Sequence, residues 1–245
     1  MGMTIKALAY ESGPTSMVVW QRSTNGAIPG KLDCSPADIL LADGKRYTLI
    51  GCVDVGTRRA RLQVAESSNS LAVCALLRRS LLDFGVTDAV KMDNGKEYAN
   101  FLVTTALLDL GIHIDWCTPF TPEEKPHIER FFLTFQRSLT TMQGFIGHSV
   151  ADRKAIESRR SFAERMSRKN GEKPALEVRY TPEEFQRYCD VFCTDMYGEK
   201  KHTVLGVSPN EAAARDEGAV RRIMDERALE HFNFDCIYKQ SIHLA

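Results

Sequence analysis

The residues best suited to chemistry are carboxylates placed where secondary-structure elements should end or begin. Asp93 closes the apolar run Ala89-Val90-Lys91-Met92 and precedes Asn94-Gly95, a pair that permits a tight turn. Glu129 follows with 35 residues between them (94 to 128), flanked by Ile128, Phe131 and Phe132 just after a Pro-rich stretch. A third acid upstream would complete a set. Two are placed for it: Asp33, between Leu32 and Cys34, and Asp54, at the end of the apolar run that starts at Tyr47. Carboxylates converging from separate elements suit hard divalent cations such as Mg²⁺ or Mn²⁺. Two such ions, about 3.5–4 Å apart, serve phosphodiester cleavage and transfer, one at the attacking oxygen and one at the leaving oxygen. Each acid also has an ordinary structural reading. Asp-Asn-Gly after a strand is a common turn, an acid in a first helical turn is favoured by the helix dipole, and Asp54 before Gly56 reads as a turn acid.

Basic groups surround the second half of this set. Lys125 and His127, in the loop before Glu129, are placed to touch a DNA backbone, as are Arg130 and Arg137, which share a face of the helix carrying Glu129. The plain alternatives are an exposed loop and ion pairs with Glu124 and its neighbours. From Asp152 to Lys173, eight Lys/Arg stand against four Asp/Glu, a local stripe able to bind phosphates although the chain's formal net charge is zero. His113 and Cys117 have a metal-like spacing, but no second pair lies in reach. His202 reads as a packing or hydrogen-bonding residue.

The elements that must position these groups are legible from periodicity. Lys31–Leu41, Tyr47–Val55 and Arg59–Ala65 read as strands of a meander, with turns at Asp43-Gly44 and Gly56-Thr57. Helical spacing of Leu71, Cys74, Leu77 and Leu81 predicts a helix over Ser70–Phe84, capped by Asn69 or Ser68 and ended by Gly85. A strand over Thr87–Met92, a helix over Glu97–Leu110, a strand over Ile112–Trp116 and a helix reaching about Met142 complete a β-β-β-α-β-α-β-α order, an α/β sheet of mixed direction. Beyond Gly147 the chain reads as mostly helical to about residue 228. Thr181-Pro182-Glu183-Glu184 and Ser208-Pro209-Asn210-Glu211 both look like helix starts. Residues 1–29, rich in turn signals, read as an arm.

In this order the motifs resemble the retroviral integrase and DDE transposase superfamily, on the ribonuclease H-like fold, and the phage Mu transposase group within it. The resemblance rests on Met92-Asp93-Asn94-Gly95-Lys96-Glu97-Tyr98, on the Asp93–Glu129 spacing, and on Thr121-Pro122 before Ile128-Glu129-Arg130-Phe131. It also rests on Gly30–Ser35 as a first strand, on Val53–Arg59, and on Lys201-His202-Thr203-Val204-Leu205-Gly206-Val207-Ser208-Pro209-Asn210-Glu211-Ala212. It covers about residues 28 to 215. The resemblance implies a five-stranded mixed sheet with three antiparallel strands, then parallel strands, flanked by helices. It implies a catalytic core over residues 30–147, a helical extension over 148–228 and the truncated start of a small barrel over 229–245. It implies Asp33, inside the first strand, as the ligand beside Asp93 and Glu129, in preference to Asp54. The implied activity is polynucleotidyl transfer on double-stranded DNA in two steps: metal-assisted hydrolysis frees a 3′-hydroxyl at an element end, and that hydroxyl attacks target DNA. The acting form would be a homo-oligomer assembled on DNA. A nuclease of the same fold that cleaves without joining, and a non-catalytic DNA-binding prophage relative, remain open on the same residues.

Bulk properties bound these readings. The chain has 245 residues, 43% hydrophobic and 26% charged, enough for one sizeable core. No apolar run approaches the roughly 20 residues a membrane helix needs, and the first residues lack a signal-peptide pattern, so the chain is read as cytoplasmic, of prokaryotic, phage or prophage origin. Seven scattered Cys suggest reduced thiols and no disulfide framework, with Cys189 and Cys193 on one helix face.

Overall fold

A computed structural model gives the fold; it describes residues 34–92, 100–118, 126–149, 151, 152, 154, 156, 158, 180–215, 221–223 and 229. Strands β1 (Cys34–Leu40), β2 (Arg46–Val53) and β3 (Ala60–Ala65) form an antiparallel sheet in the order β1-β2-β3. Helix α1 (Ser70–Phe84) follows, then β4 (Ala89–Met92), α2 (Phe101–Asp109), β5 (His113–Trp116) and α3 (Pro126–Ser138). β4 and β5 pair in parallel, Ala89 opposite His113 and Met92 opposite Trp116. The order and the mixed α/β character are the expected ones. Among the described residues the strands form a triplet and a separate parallel pair, with no ladder between β1 and β4. The described part of β1 begins at Cys34 and that of β4 ends at Met92, so the residues at the expected junction lie outside the description.

β1 is irregular for a chemical reason. Pro36 carries no N–H to donate, and the pairing with β2 shifts register between Pro36 and Leu40. The far side of β1 is covered by the chain after α3: Leu40 N–H donates to the Gly144 carbonyl at 2.9 Å and Ile146 N–H to the Asp38 carbonyl at 3.0 Å. Such close approach needs a glycine, since a Cβ on Gly144 (φ 90°) would lie 2.3 Å from the Leu40 oxygen. Asp38 is buried in β1. Its carboxylate accepts from Arg46 Nη2 at 2.5 Å and faces His148 Nδ1 at 3.0 Å, which offsets the cost of burying it.

α1 begins as the sequence predicts, with the Asn69 side chain accepting from Ala72 N–H, and ends at Gly85 in the left-handed region (φ 86°). Its buried Val73, Leu76, Leu77 and Leu81 face the sheet, each contributing roughly 1.5–3 kcal/mol on full burial. α3 ends at Ser138 in a 3-10 turn, Leu139–Thr141, short of the expected Met142 because Met142 is extended (ψ 146°). After it, α4 (Pro182–Val191) starts with a full capping box between Thr181 and Glu184 and runs into a π-helical turn, Phe192–Tyr197. α5 (Pro209–Arg215) follows.

α4 joins the same core as the strands. Phe185, Cys189, Phe192 and Cys193 are buried, and Phe192 meets Phe135 of α3 edge-on with ring centroids 4.9 Å apart. Gln186 closes the open edge of β3: its carbonyl oxygen accepts from Val64 N–H at 2.8 Å and its amide donates to the Leu62 carbonyl at 2.9 Å. The expected arm (1–29), most of the helical stripe after Asp152, and the expected barrel start beyond Leu229 lie outside the described residues. Cys52, Cys74, Cys117, Cys189 and Cys193 are buried and free.

Candidate functional site

The turn after β2 is built on Asp54. One carboxylate oxygen accepts from Gly56 N–H at 3.0 Å and the other from the Thr57 hydroxyl at 2.6 Å, while the Asp54 carbonyl accepts from Arg58 N–H at 2.6 Å. The side chain is fully buried. The turn forces Arg58 into the left-handed region (φ 65°), a conformation that L residues other than Gly, Asn and Asp rarely adopt. Arg58 lines a cavity together with residues of α3.

α3 supplies the opposite wall. Pro126 opens the helix, which places His127 in its first turn and not in the loop assigned to it from sequence. Ile128, Phe131, Phe132 and Phe135 are buried, whereas Glu129, Arg130 and Arg137 are exposed. The third wall is the segment after the π-helical turn. It folds back on itself through His202 N–H to the Val207 carbonyl (2.8 Å) and Gly206 N–H to the His202 carbonyl (2.9 Å). Asn210 anchors it, its amide donating to the Thr194 carbonyl at 2.9 Å. π-helical turns inside helices recur at functional sites.

These three walls enclose a cavity of about 220 Å³ lined by Arg58, His127, Arg130, Tyr197, Lys200, Lys201 and His202, among others. No Asp or Glu is among the described residues that line it. Three buried nitrogens at this place have no hydrogen-bond partner: Nε and Nη1 of Arg58 and Nδ1 of His202. Burial lowers the pKa of Arg58, and the Arg130 charge adds to the effect. Burial, then Arg58 and Arg130, hold His202 below the usual imidazole range. Burial pushes the Tyr197 hydroxyl up to about 12, so it stays protonated.

Of the residues singled out from sequence, His127 and Arg130 meet at this cavity, and Arg137, two turns further along α3, does not line it. Glu129 stands beside Arg130 in the first turn with its side chain exposed. Asp33, Asp93 and Lys125 lie outside the described residues. Arg58 and Lys201 fall within the motifs that carry the resemblance but have no role assigned from sequence, and Lys200 has none either. His202 was read as structural, yet its Nδ1 lacks the partner that such a role needs. Nothing in the sequence tells that the turn after β2 and residue 202 face each other. The described residues contain no group of three or more metal-ligating side chains, and no described helix is long and apolar enough to cross a membrane.

Residues 78–144 match the family described as the TnsB C-terminal domain, a stretch running from within α1 past the end of α3. That match supports a protein of the transposase type; it covers well under half of the chain and by its description assigns no catalysis. No curated protein matches. Among solved structures, the chain is similar to one described as the simian T-cell lymphotropic virus intasome in complex with PP2A regulatory subunit B56 gamma. The identity is 14% and the TM-score 0.48, over 74% of this chain and 52% of that one. The chain thus spans about half the length of that relative, and the likeness is too weak to carry a function.

Proposed function

We propose that this chain is the catalytic core of a DDE-type transposase or integrase, on a ribonuclease H-like fold, that cleaves DNA at element ends and joins the freed 3′-hydroxyl to target DNA. The observation that carries the reading is the sequence resemblance around Asp93 and Glu129, with 35 residues between them, and both acids lie within the stretch that matches a transposase family. Two features of the fold support it. Glu129 is exposed in the first turn of α3, open to a ligand, whereas Asp54, the rival for the upstream position, spends both carboxylate oxygens on its own turn.

Asp33, Asp93 and Glu129 would hold Mg²⁺ or Mn²⁺; an all-carboxylate donor set fits a hard divalent cation. Bound there, such ions would supply charge stabilisation for the attacking and leaving oxygens of a phosphodiester. Within the chain, Glu129 is set by the buried face of α3, and His127 and Arg130 in the same turn would contact backbone phosphates, as would Lys125 and Arg137. Joining two DNA ends would call for more than one copy of the chain on the DNA.

The test is a joining assay with precleaved ends, run beside a cleavage assay. Asp33→Asn, Asp93→Asn and Glu129→Gln should each abolish both reactions without lowering the unfolding midpoint. Retention of activity in Asp33→Asn with loss in Asp54→Asn would refute the upstream assignment. Cleavage without joining would make the chain a nuclease, and DNA binding with neither reaction would make it a non-catalytic relative.

A further inference from the structure

We propose that the cavity between the β2–β3 turn, α3 and the segment 198–208 is a phosphate site that receives a nucleotide phosphate of DNA, with Arg58 and His202 as its buried donors. The inference rests on the DNA-processing reading above and adds donors that the reading does not use, Arg58 and His202. Its first support is charge. The cations Arg58, Arg130, Lys200 and Lys201 converge on one cavity beside the imidazoles of His127 and His202, and no acid lines it among the described residues. Like charges so gathered repel each other, and an anion relieves the repulsion.

The second support is unmet hydrogen bonding. Two guanidinium nitrogens of Arg58 and the Nδ1 of His202 are buried without partners. Native proteins rarely leave buried polar atoms unpaired, and an orphaned donor bears its full desolvation cost. A phosphate oxygen supplies the missing acceptors, and the guanidinium fork suits two of them at once. The third support is backbone strain. Arg58 occupies φ 65°, where glycine would be easier, so the turn holds a charged side chain in a costly conformation aimed at the cavity. Strain and unpaired donors at one residue mark a group kept ready for a ligand. The fourth support is size. A cavity of about 220 Å³ has room for a phosphate group. The protonated Tyr197 hydroxyl, at the same wall, is a further neutral donor.

The experiment uses the full chain with three probes: inorganic phosphate, a short 5′-phosphorylated oligonucleotide and its 5′-hydroxyl counterpart. Melting temperature and oligonucleotide affinity are read for the wild type, Arg58→Gly, Arg58→Lys and His202→Gln. Phosphate should raise the wild-type melting temperature, as any ligand of the folded state does. Arg58→Gly should melt higher than the wild type when unliganded, lose the phosphate response, and bind oligonucleotide at least tenfold more weakly with a shallower salt dependence. Arg58→Lys, which keeps charge but not the fork, should fall between, and His202→Gln should weaken binding without removing it. Equal affinity for the two oligonucleotides assigns the site to an internal diester; a preference for the 5′-phosphorylated one assigns it to a terminal monoester. The proposal is overturned if Arg58→Gly responds to phosphate and oligonucleotide as the wild type does, or if it melts lower and binds unchanged, which would make Arg58 structural. Joining by these variants and by Asp93→Asn separates the two readings. Full joining by Asp93→Asn refutes the carboxylate site alone, and an unchanged phosphate response in Arg58→Gly refutes the cavity alone.

Discussion

Gly51 in β2 lies directly under the Phe132 ring of α3: a Cβ on the glycine would sit 2.8 Å from Phe132 Cζ and 3.3 Å from Leu62 Cδ2. The absence of a side chain at Gly51 therefore sets how closely α3, and Glu129 with it, approaches the sheet. Gly51→Ala should force the ring or the helix outward and cost about 1–3 kcal/mol, as overpacking of a filled core does. Phe132→Leu added to Gly51→Ala should recover part of that loss. Urea unfolding of the single and double variants measures both, and a neutral Gly51→Ala would show that α3 is not seated on β2 in this way.

Asp54 and Asp33 should separate cleanly by what their loss does. Removing the Asp54 carboxylate orphans Gly56 N–H and the buried Thr57 hydroxyl, so Asp54→Ala should cost about 1–3 kcal/mol of stability and leave Mn²⁺ binding in place. Asp33→Asn should do the reverse. Chemical denaturation paired with Mn²⁺ electron paramagnetic resonance on the same samples gives the answer. Loss of Mn²⁺ binding in Asp54→Ala at full stability would move the ligand to Asp54.

His202 gives stability a defined pH dependence. Its pKa is lowered in the folded protein by burial, Arg58 and Arg130. The groups facing it are Arg58 from the turn, His127 and Arg130 from α3, Tyr197, and Lys200 and Lys201 from its own segment, none of them acidic. Between the unfolded value, about 6.5, and the lower folded value, the unfolded chain binds more protons. Stability from this residue is thus fully present above about pH 6.5 and is lost as pH falls through the folded pKa. Unfolding free energies measured from pH 7.5 to 5 should slope less in His202→Gln than in the wild type. An equal slope in the two would assign the dependence to other groups, of which His127→Gln is the control.

The sequence was most legible where local chemistry decides the outcome. α1 runs from Ser70 to Phe84 because an Asn cap and a left-handed glycine bound an apolar stripe, and the Thr181–Glu184 capping box begins α4 for the same kind of reason. Asp54 read as a turn acid because Gly56 and Thr57 follow within three residues. Nothing local marks Asp38 as buried, because Arg46 reaches it from the neighbouring strand and His148 from beyond α3. The cavity was illegible for the same reason: Arg58, Arg130 and His202 belong to three elements, and only tertiary packing makes them neighbours. The π-helical turn that aims residues 198–208 has no sequence signal, since each of its residues is compatible with an ordinary helix.

Gln186 offers the sharpest test of how α4 is held. On sequence it is an ordinary polar helix residue, but its amide carries two β3 backbone groups and also donates to Asp190 Oδ1 at 3.0 Å. Gln186→Leu keeps the apolar contact, orphans Val64 N–H and removes the Gln186 donor from the Leu62 carbonyl; a buried group left dry costs about 1–3 kcal/mol. Arg79 still donates to the Leu62 carbonyl at 3.1 Å, so the loss should be nearer the cost of one group than two. Gln186→Glu should be worse than Gln186→Leu. It keeps an acceptor for Val64 but loses the donor to Leu62 and sets a second carboxylate beside Asp190, which already pairs with Arg79. Both variants uncover the edge of β3, and an uncovered edge recruits strands from other chains. Thermal melts followed by light scattering should therefore show Gln186→Glu unfolding first and both variants aggregating at lower temperature than the wild type. If Gln186→Glu melts with the wild type, the edge of β3 is closed by something other than this side chain.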